Sequence, residues 1–327
     1  MTGGRPMDRR QALGRLARAA LVLGGAGLLA RLGLRSAGRF HRAAGGLPVP
    51  DHRVPDDPRF PPLAVARGPR PEELVRRAIG AVGGMERFVR PGEAVLVKPN
   101  MAWDRLPEQG ANTSPAVVAE VVRLARAAGA RRVIVAEVPV QDGRRAAERS
   151  GIGPAVREAG GELLLPDGTG FLAADLHGTV LERWEVLAPA LAAERLINVP
   201  VVKDHALSAL TCGMKNWYGL LGGTRSRLHQ RIHPSIADLA AAFLPTLTVV
   251  DATRVMVRSG PTGGRLEDVV VLDAVAAGTD PVACDTWAAS LLRLAPADVP
   301  YLLLAEGKGL GSCRAGLAPV EVPRGGA

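Results

Sequence analysis

Aromatic residues and cysteines are scarce in this chain. Phe, Trp and Tyr together supply 3% of the 327 residues, so a core must be built mainly from Ala, Val and Leu. Apolar residues still make up 47% and charged residues 22%, which is typical of a folded protein. The three cysteines, Cys212, Cys284 and Cys313, match no ferredoxin or zinc-binding spacing and cannot complete a disulfide framework. The sequence therefore contains no iron–sulfur motif, and we expect buried, inert thiols, with Cys212 as the one to test for reactivity.

Net charge is also low outside the amino terminus. The whole chain has a formal charge of +9, but residues 1–45 hold nine arginines and one acid, Asp8, and so contribute +8. This leaves +1 for the other 282 residues, which show no basic stripe. A near-neutral body lacks the positive surface that binds phosphate backbones, so we expect no nucleic-acid partner.

The apolar run near the amino terminus is too short to span a bilayer. Ala19–Ala30 has twelve residues, whereas a spanning helix needs about 20. The pair Arg9-Arg10 before this run resembles a twin-arginine export signal, although Asp8 and Ala12 depart from the common pattern. We predict that residues 1–45 are such a signal peptide or, alternatively, an uncleaved membrane anchor. Both alternatives predict export to a periplasmic or other extracytoplasmic space, with the twin-arginine export machinery as a partner.

Strand and helix patterns alternate along the rest of the chain. Residues 46–62 are rich in Pro and Asp and predict an extended linker, residues 63–315 a folded domain, and residues 316–327 a C-terminal tail. We predict strands at Leu63–Ala66, Ala94–Lys98, Arg132–Val138, Glu162–Leu165, Arg195–Val199, Leu247–Asp251 and Val269–Ala276. We predict helices at Pro71–Val82, Pro115–Ala128, Arg145–Ser150, Pro154–Ala159, Ser208–Leu221, Ser235–Phe243, Pro281–Leu294 and Pro300–Glu306. Residues 167–190 predict a β excursion. This order indicates an α/β fold with a mostly parallel sheet covered by helices on both faces, which could be divided into two lobes with a site between them.

Three short stretches place basic and amide side chains next to apolar segments. Their sequences are VLVKPN (95–100), INVPVVKDH (197–205) and GMKNWYG (213–219). Ligands of open α/β sheets bind beyond the carboxyl ends of the strands, where such side chains would converge. These stretches predict a site for a small anionic or metal-bound molecule, and the candidate residues are Lys98, Asn100, Lys203, His205, Lys215 and Asn216. Lys98 could equally be a solvated lysine at a strand end, and Asp204 could merely pair with a surface base.

Further candidates lie at predicted helix starts and strand ends. Ser114 precedes Pro115 as a helix N-cap, where free N–H groups could bind an anion or merely be capped. Asp251 and Asp280 could hold a divalent cation, although Asp280 could also be only an N-cap. His229 and His233 have the i, i+4 spacing of a metal pair on a helix, but Pro234 is close to both.

Six motifs occur in the order of a known family: VLVKPN, a TSP helix start, LINVPVVKDH, GMKNWYGL, VVDA and AGTDPVACD. Together they resemble the bacterial and archaeal family called domain of unknown function 362, over residues 64–311. Many of its members carry an iron–sulfur ferredoxin module, which this chain lacks. The resemblance implies a fold and motif positions, and it names no substrate or cofactor.

The favoured hypothesis is an exported enzyme that acts on a small carboxylate or phosphate. Lys98, Lys203 and Lys215 would neutralise the anion, Asn100 and Asn216 would orient it, and the catalytic residues would be His205 and Lys203, with His205 as general acid–base. Asp251 and Asp280 would bind a divalent metal if one takes part. The alternative is a non-catalytic metal-binding or maturation factor for an exported redox enzyme. The enzyme hypothesis requires Lys98, Lys203, His205 and Lys215 to surround one hollow.

Overall fold

The computed structural model describes residues 45–323, and its elements follow the alternation that the sequence predicts. The strands are β1 (Leu47–Pro48), β2 (Leu63–Arg67), β3 (Ala94–Pro99), β4 (Arg132–Ala136), β5 (Glu162–Leu164), β6 (Phe171–Asp175), β7 (Arg183–Leu187), β8 (Arg195–Val199), β9 (Val201–His205), β10 (Ala209–Thr211), β11 (Leu247–Met256), β12 (Val269–Gly278) and β13 (Val320–Glu321). The α-helices are α1 (Pro71–Ala81), α2 (Met85–Phe88), α3 (Pro115–Ala127), α4 (Gly143–Arg149), α5 (Ile152–Glu158), α6 (Ala188–Ala192), α7 (Gly213–Asn216), α8 (Ile232–Ala242), α9 (Pro281–Leu291), α10 (Pro300–Gly307) and α11 (Cys313–Leu317). Short 3₁₀ helices lie at Pro107–Gln109, Trp217–Leu220, Arg225–Arg231, Leu266–Asp268 and Pro296–Asp298.

Ten of these strands form one sheet, which is mostly parallel. Its order is β13-β2-β12-β11-β8-β3-β4-β5, and β9 and β10 extend it beside β11. Only β12 breaks the parallel run along this order, because it is antiparallel to both β2 and β11. β10 pairs antiparallel with β9, and β1, β6 and β7 form a separate small sheet. The predicted fold class is confirmed.

Helices cover both faces of the sheet because its central strands are apolar on both sides. In β3, Leu96 belongs to one core, and Val95 and Val97 belong to the other. Side chains of α8, α9 and α10 complete the first core, and side chains of α1 and α3 complete the second. Strands buried on both faces are typical of parallel sheets.

The residues from Gly46 onward form one compact unit, so the two-lobe alternative does not hold. The reason is that β8 hydrogen-bonds to β3 on one side and to β11 on the other, which joins the two halves of the chain in one sheet. The segment 167–190 forms the β6–β7 hairpin. The predicted linker contributes β1, which pairs with β6, and the predicted tail contributes β13, which pairs with β2.

One local prediction, around the third motif, was wrong. The strand predicted over Arg195–Val199 is confirmed as β8, and β9 begins directly after Pro200. The helix predicted over Ser208–Leu221 is instead β10, α7 and a 3₁₀ turn. Pairing between β9 and β10 is the cause, since it extends the first part of that segment.

The predicted signal peptide or anchor lies almost wholly outside the described residues and stays a prediction. Between residues 45 and 323, no helix combines the length and apolar character that crossing a membrane requires.

Candidate functional site

A cavity of about 370 Å³ opens at the carboxyl-terminal edge of the parallel strands. The residues of the three motifs that line it are Asn100, Lys203, His205, Lys215, Asn216, Tyr218 and Gly219. Lys98 is fully buried behind the wall, where its Nζ donates a 2.8 Å hydrogen bond to Glu137, a lining residue. The structure therefore places three of the four required side chains, Lys203, His205 and Lys215, around one hollow, and Lys98 lies behind its wall.

Strand β9 places two of these side chains on the same face of the sheet. Lys203 and His205 are two positions apart, and side chains at that spacing share a face. Asp204, between them, instead accepts a hydrogen bond from the backbone N–H of Gly260 at 3.1 Å. Asp204 is therefore paired with backbone and not with a surface base.

Helix α7 carries Lys215 and Asn216, and its amino end is hydrogen-bonded to a buried carboxylate. Asp285 accepts the backbone N–H groups of Gly213 at 2.7 Å and Met214 at 3.2 Å, at the amino end of this helix. Burial raises the pKa of Asp285 to about 6. Asp285 therefore acts on the site by holding the backbone that presents Lys215.

An amide network joins the motifs to one another. Asn216 Nδ2 donates to Asn198 Oδ1 at 2.8 Å and to the carbonyl of Lys98 at 3.0 Å, while its Oδ1 accepts from Asn100 Nδ2 at 3.1 Å. Gly219 packs over the Lys98–Glu137 ion pair, and a methyl group there would overlap the Glu137 carboxylate. This close approach explains the glycine of the third motif.

The three lysines have different hydrogen-bond partners. Lys98 Nζ donates to a carboxylate, Glu137, to the Pro99 carbonyl and to Asn216 Oδ1. Lys203 Nζ donates to two neutral acceptors, Asn100 Oδ1 at 3.1 Å and the Ala111 carbonyl.

Lys215 differs again, because its Nζ lies 4.6 Å from the centre of the Tyr218 ring, a cation–π distance.

These environments separate the proton affinities of the lysines. Burial, with the nearby charge of Lys215, lowers the pKa of Lys203 from 10.5 to about 7. Burial and Arg225 lower the pKa of Lys215 to about 8. Burial also lowers the pKa of Lys98, and Glu137 opposes that shift. Lys203 is thus the cavity amine that loses its proton most readily.

His205 is neutral at physiological pH. Burial and the charge of Lys215 are the largest causes that lower its pKa to about 3. Its Nδ1 accepts the backbone N–H groups of Leu207 at 3.1 Å and Ser208 at 3.3 Å, so the proton of the neutral ring is on Nε2. These electrostatics disfavour the predicted general acid–base role and make His205 a hydrogen-bond donor through Nε2.

Positive charge exceeds negative charge around the cavity. Glu137 is the one carboxylate among the lining residues that the structure describes, and it is paired with Lys98. Arg225 also lines the cavity, and its guanidinium donates to the carbonyls of Val138, Pro139 and Tyr218. Lys215 and Arg225 therefore face the cavity without a carboxylate partner among the described residues.

Two more residues, Thr211 and Trp103, line the cavity. The Thr211 hydroxyl is buried and has no hydrogen-bond partner within residues 45–323. Trp103 places its ring centre 6.0 Å from Lys203 Nζ.

Ser114 and Asp251 are paired with each other and do not line the cavity. The backbone N–H of Ser114 donates to Asp251 Oδ2 at 2.7 Å, so the anion at this helix start is the protein's own carboxylate. The other Asp251 oxygen accepts from the N–H and the hydroxyl of Thr253. Burial raises the pKa of Asp251. Hydrogen bonds thus account for both oxygens of Asp251 without a metal.

Asp280 lies at the opposite edge of the sheet from the lysines. It follows β12, and because β12 is antiparallel its end lies beside the starts of β2 and β11. Asp280 accepts the N–H of Ala283 at 2.7 Å as the N-cap of α9, and the N–H of Ser312 at 2.8 Å. The N-cap interpretation is the one that the structure supports.

The two histidines at i, i+4 spacing face different surroundings. His229 belongs to a 3₁₀ helix at the cavity and stacks on His205 at 6.2 Å, whereas His233 stacks on Tyr301 at 6.2 Å. Among residues 45–323, no three His, Cys, Asp or Glu side chains are grouped as metal ligands would be. All three cysteines are buried free thiols, and burial raises the pKa of Cys212 well above its usual range, which favours the inert interpretation.

Four lining residues were not predicted from the sequence: Glu137, Arg225, Thr211 and Trp103. Glu137 directly follows β4. The expectation that ligands bind beyond the carboxyl ends of the strands would have found it if applied to β4. Arg225 begins a 3₁₀ helix after Gly222-Gly223-Thr224, and no local signal distinguishes it from the other arginines.

Comparisons with known proteins give relatives at several distances. The lactate racemase apoprotein from Thermoanaerobacterium thermosaccharolyticum is structurally similar, with a TM-score of 0.41 and 13% identity, over 76% of this chain and 62% of that chain. A thylakoid-associated protein of Synechocystis sp. is 29% identical over 259 residues, which is 76% of this chain and 79% of that protein. The model of the family described as domain of unknown function (DUF362) matches residues 95–290, which include the three lysine motifs. This chain therefore belongs to the DUF362 family, as its ordered motifs predicted.

Proposed function

We propose that this protein is an enzyme that binds a small carboxylate or phosphate in the cavity beside β3, β4 and β9. The observation that carries the proposal is the charge imbalance: Lys215 and Arg225 line the cavity without a carboxylate partner in the described chain, and the one lining carboxylate, Glu137, is paired with Lys98. Buried cations are costly unless an anion or several hydrogen bonds compensate them. Three carbonyl acceptors compensate Arg225, and a ligand with negative charge would supply the compensation that the buried Lys215 lacks among the described residues.

The remaining side chains would orient the anion and react with it. His205 and the unpartnered Thr211 hydroxyl would donate hydrogen bonds to its oxygens, since both donors line the cavity. Lys203 is the reactive candidate, because its pKa of about 7 makes the free amine available at neutral pH. His205 and Lys203 were both predicted to be catalytic; in this proposal His205 binds the anion and Lys203 is the reactive group.

Thermal unfolding of the full chain with and without inorganic phosphate, malonate or acetate would test the binding step. A ligand at about a hundred times its Kd should add about 2.7 kcal/mol to the free energy of unfolding. We expect Lys215→Met to lose most of the shift that phosphate produces. Lys308→Met is the matched control, because this partly exposed lysine pairs with Asp238 and does not line the cavity. Equal shifts in wild type and Lys215→Met would contradict the proposal.

We also propose that residues 1–45 direct export through the twin-arginine pathway. The support is the Arg9-Arg10 pair, the short apolar run after it and the +8 charge of this segment. Replacing both arginines with lysine should keep the protein in the cytoplasmic fraction of its host. Unchanged fractionation of that variant would refute export by this route.

A further inference from the structure

Lysine is rare in this chain, and most of it is in one place. Only four of the 41 basic side chains are lysines, and Lys98, Lys203 and Lys215 belong to the site. The fourth, Lys308, lies elsewhere and pairs with Asp238. Arginine is the usual cation of this chain, and it binds oxyanions well through its fork of donors. Lysine differs from arginine in that it can lose its proton in a protein and become a nucleophilic amine.

The hydrogen-bond acceptors of Lys98 and Lys203 differ in number and in charge. An ammonium has three N–H donors, and Lys98 has three acceptors, one of them the Glu137 carboxylate. A neutral amine has two N–H donors and one lone pair, and Lys203 has two acceptors, both uncharged: Asn100 Oδ1 and the Ala111 carbonyl. The partners of Lys98 thus fit a charged side chain, and those of Lys203 fit a neutral amine with its lone pair left over.

Lys215 stays mostly charged at pH 7, because its lowered pKa of about 8 is still above that pH. Its Nζ lies over the Tyr218 ring at 4.6 Å, an arrangement that favours the charged form. Its charge also disfavours protonation of Lys203, which lines the same cavity. One lysine is therefore placed to hold an anion beside another that is placed to react.

We propose that the Lys203 amine forms an imine with a carbonyl carbon of the anionic substrate. This inference rests on the proposed function and names the substrate class, a small aldehyde or ketone that carries a carboxylate or phosphate. Lys215 and Arg225 bind the oxyanion group, which presents the carbonyl to Lys203.

The step needs no oxidant, reductant or further reactant. The lone pair of Lys203 Nζ attacks the carbonyl carbon, forming the C–N bond, and the C=O π electrons move to the oxygen. Both hydrogens of the amine then leave with that oxygen as water, and the C=N bond forms. At pH 7 about half of the Lys203 side chains would be neutral, against roughly one in 3,000 for a lysine of pKa 10.5.

Reductive trapping with sodium cyanoborohydride tests this inference on the full chain at pH 7. Two pairs of probes distinguish recognition of a carboxylate from recognition of a phosphate: pyruvate with methyl pyruvate, and glyceraldehyde 3-phosphate with glyceraldehyde. Within each pair the carbonyl is the same and only one member is charged. Intact mass gives the extent of labelling, and peptide mapping identifies the lysine.

We expect a charged probe to label Lys203 at least about tenfold faster than its neutral partner and at least about tenfold faster than it labels Lys308. Inorganic phosphate should slow this labelling in the wild type, and Lys203→Met should abolish it while Lys308→Met does not. The charged probe that reacts faster identifies a carboxylate or a phosphate as the recognised group.

Equal labelling by charged and neutral probes, or labelling that persists in folded Lys203→Met, would overturn the inference. Absence of labelling while phosphate still raises the unfolding temperature would overturn imine formation alone. Absence of both labelling and stabilisation would overturn the proposed function as well.

Discussion

Replacing Lys203 with methionine should change how the stability of the protein depends on pH. The side chain is about 1% exposed, and burial with the nearby Lys215 charge lowers its pKa from 10.5 to about 7. Between those two values the unfolded chain holds a proton on this amine and the folded chain does not. The stability contributed by Lys203 is therefore present above pH 10.5 and is lost as the pH falls towards 7.

The size of the effect follows from the shift. Each unit of pH in that window changes the free energy of unfolding by about 1.4 kcal/mol for one proton. From pH 7.5 to pH 9.5, Lys203 should add about 2.5 kcal/mol to the stability of the wild type. Methionine keeps most of the length and volume of the side chain but has no proton to lose. The wild type should therefore gain about 2–3 kcal/mol relative to Lys203→Met across this range.

Urea unfolding at half-unit steps from pH 7 to pH 10 would measure this difference. Lys308→Met, measured in parallel, reports what the loss of a partly exposed, ion-paired lysine does to the same profile. A constant gap between wild type and Lys203→Met over the whole range would show that folded Lys203 stays protonated. The assignment of Lys203 as the reactive amine would then fail.

Three more predictions concern the supports of the site. Gly219→Ala should destabilise the protein by about 1–3 kcal/mol in urea unfolding, because a methyl group there would overlap the Glu137 carboxylate. The control Gly80→Ala, in open space on α1, should be neutral or slightly stabilising. Equal effects of the two substitutions would contradict the packing argument. Burial raises the pKa of Asp285 from 3.8 to about 6. As the pH rises through that interval, the free energy of unfolding of the wild type should therefore fall by about 3 kcal/mol relative to that of Asp285→Asn. The same pH dependence of urea unfolding in both proteins would refute this. Phosphate binding at pH 7.5 should take up protons, since an anion raises the pKa values of the cavity lysines, and calorimetry in buffers of different ionisation enthalpy would detect zero uptake if the amines were already fully charged.

Much of the site could be predicted because parallel strands end at one edge. Two of the site residues, Lys98 and Asn100, lie at or just after the end of β3, and β3 pairs parallel with β8. Two more, Lys203 and His205, lie in β9, which pairs parallel with β11. The same rule failed for Asp280, because the strand before it is antiparallel and ends at the other edge. Strand direction depends on pairing between distant segments, and the pattern of a single strand does not contain it.

Helix capping shows a second limit of local prediction. Ser114 before a proline correctly indicated a helix start, yet the ligand of that helix start is Asp251, 137 positions further along the chain. Asp285 lies inside α9, and its partners are the backbone N–H groups of Gly213 and Met214 at the start of α7. In both cases the packing of separate elements chose the partner.

The amino-acid sequence by itself determined the alternation of buried strands and helices, the family, and the lysine and asparagine motifs, because these depend on residue type and short-range spacing. Tertiary structure alone decided how readily each lysine loses its proton. Lys98 meets a carboxylate, Lys215 meets an aromatic ring and Lys203 meets two neutral oxygens, and all of these partners except Tyr218 are remote in sequence or belong to the backbone. Proton affinity depends on burial and on the charges within a few ångströms, and only the folded chain brings those together.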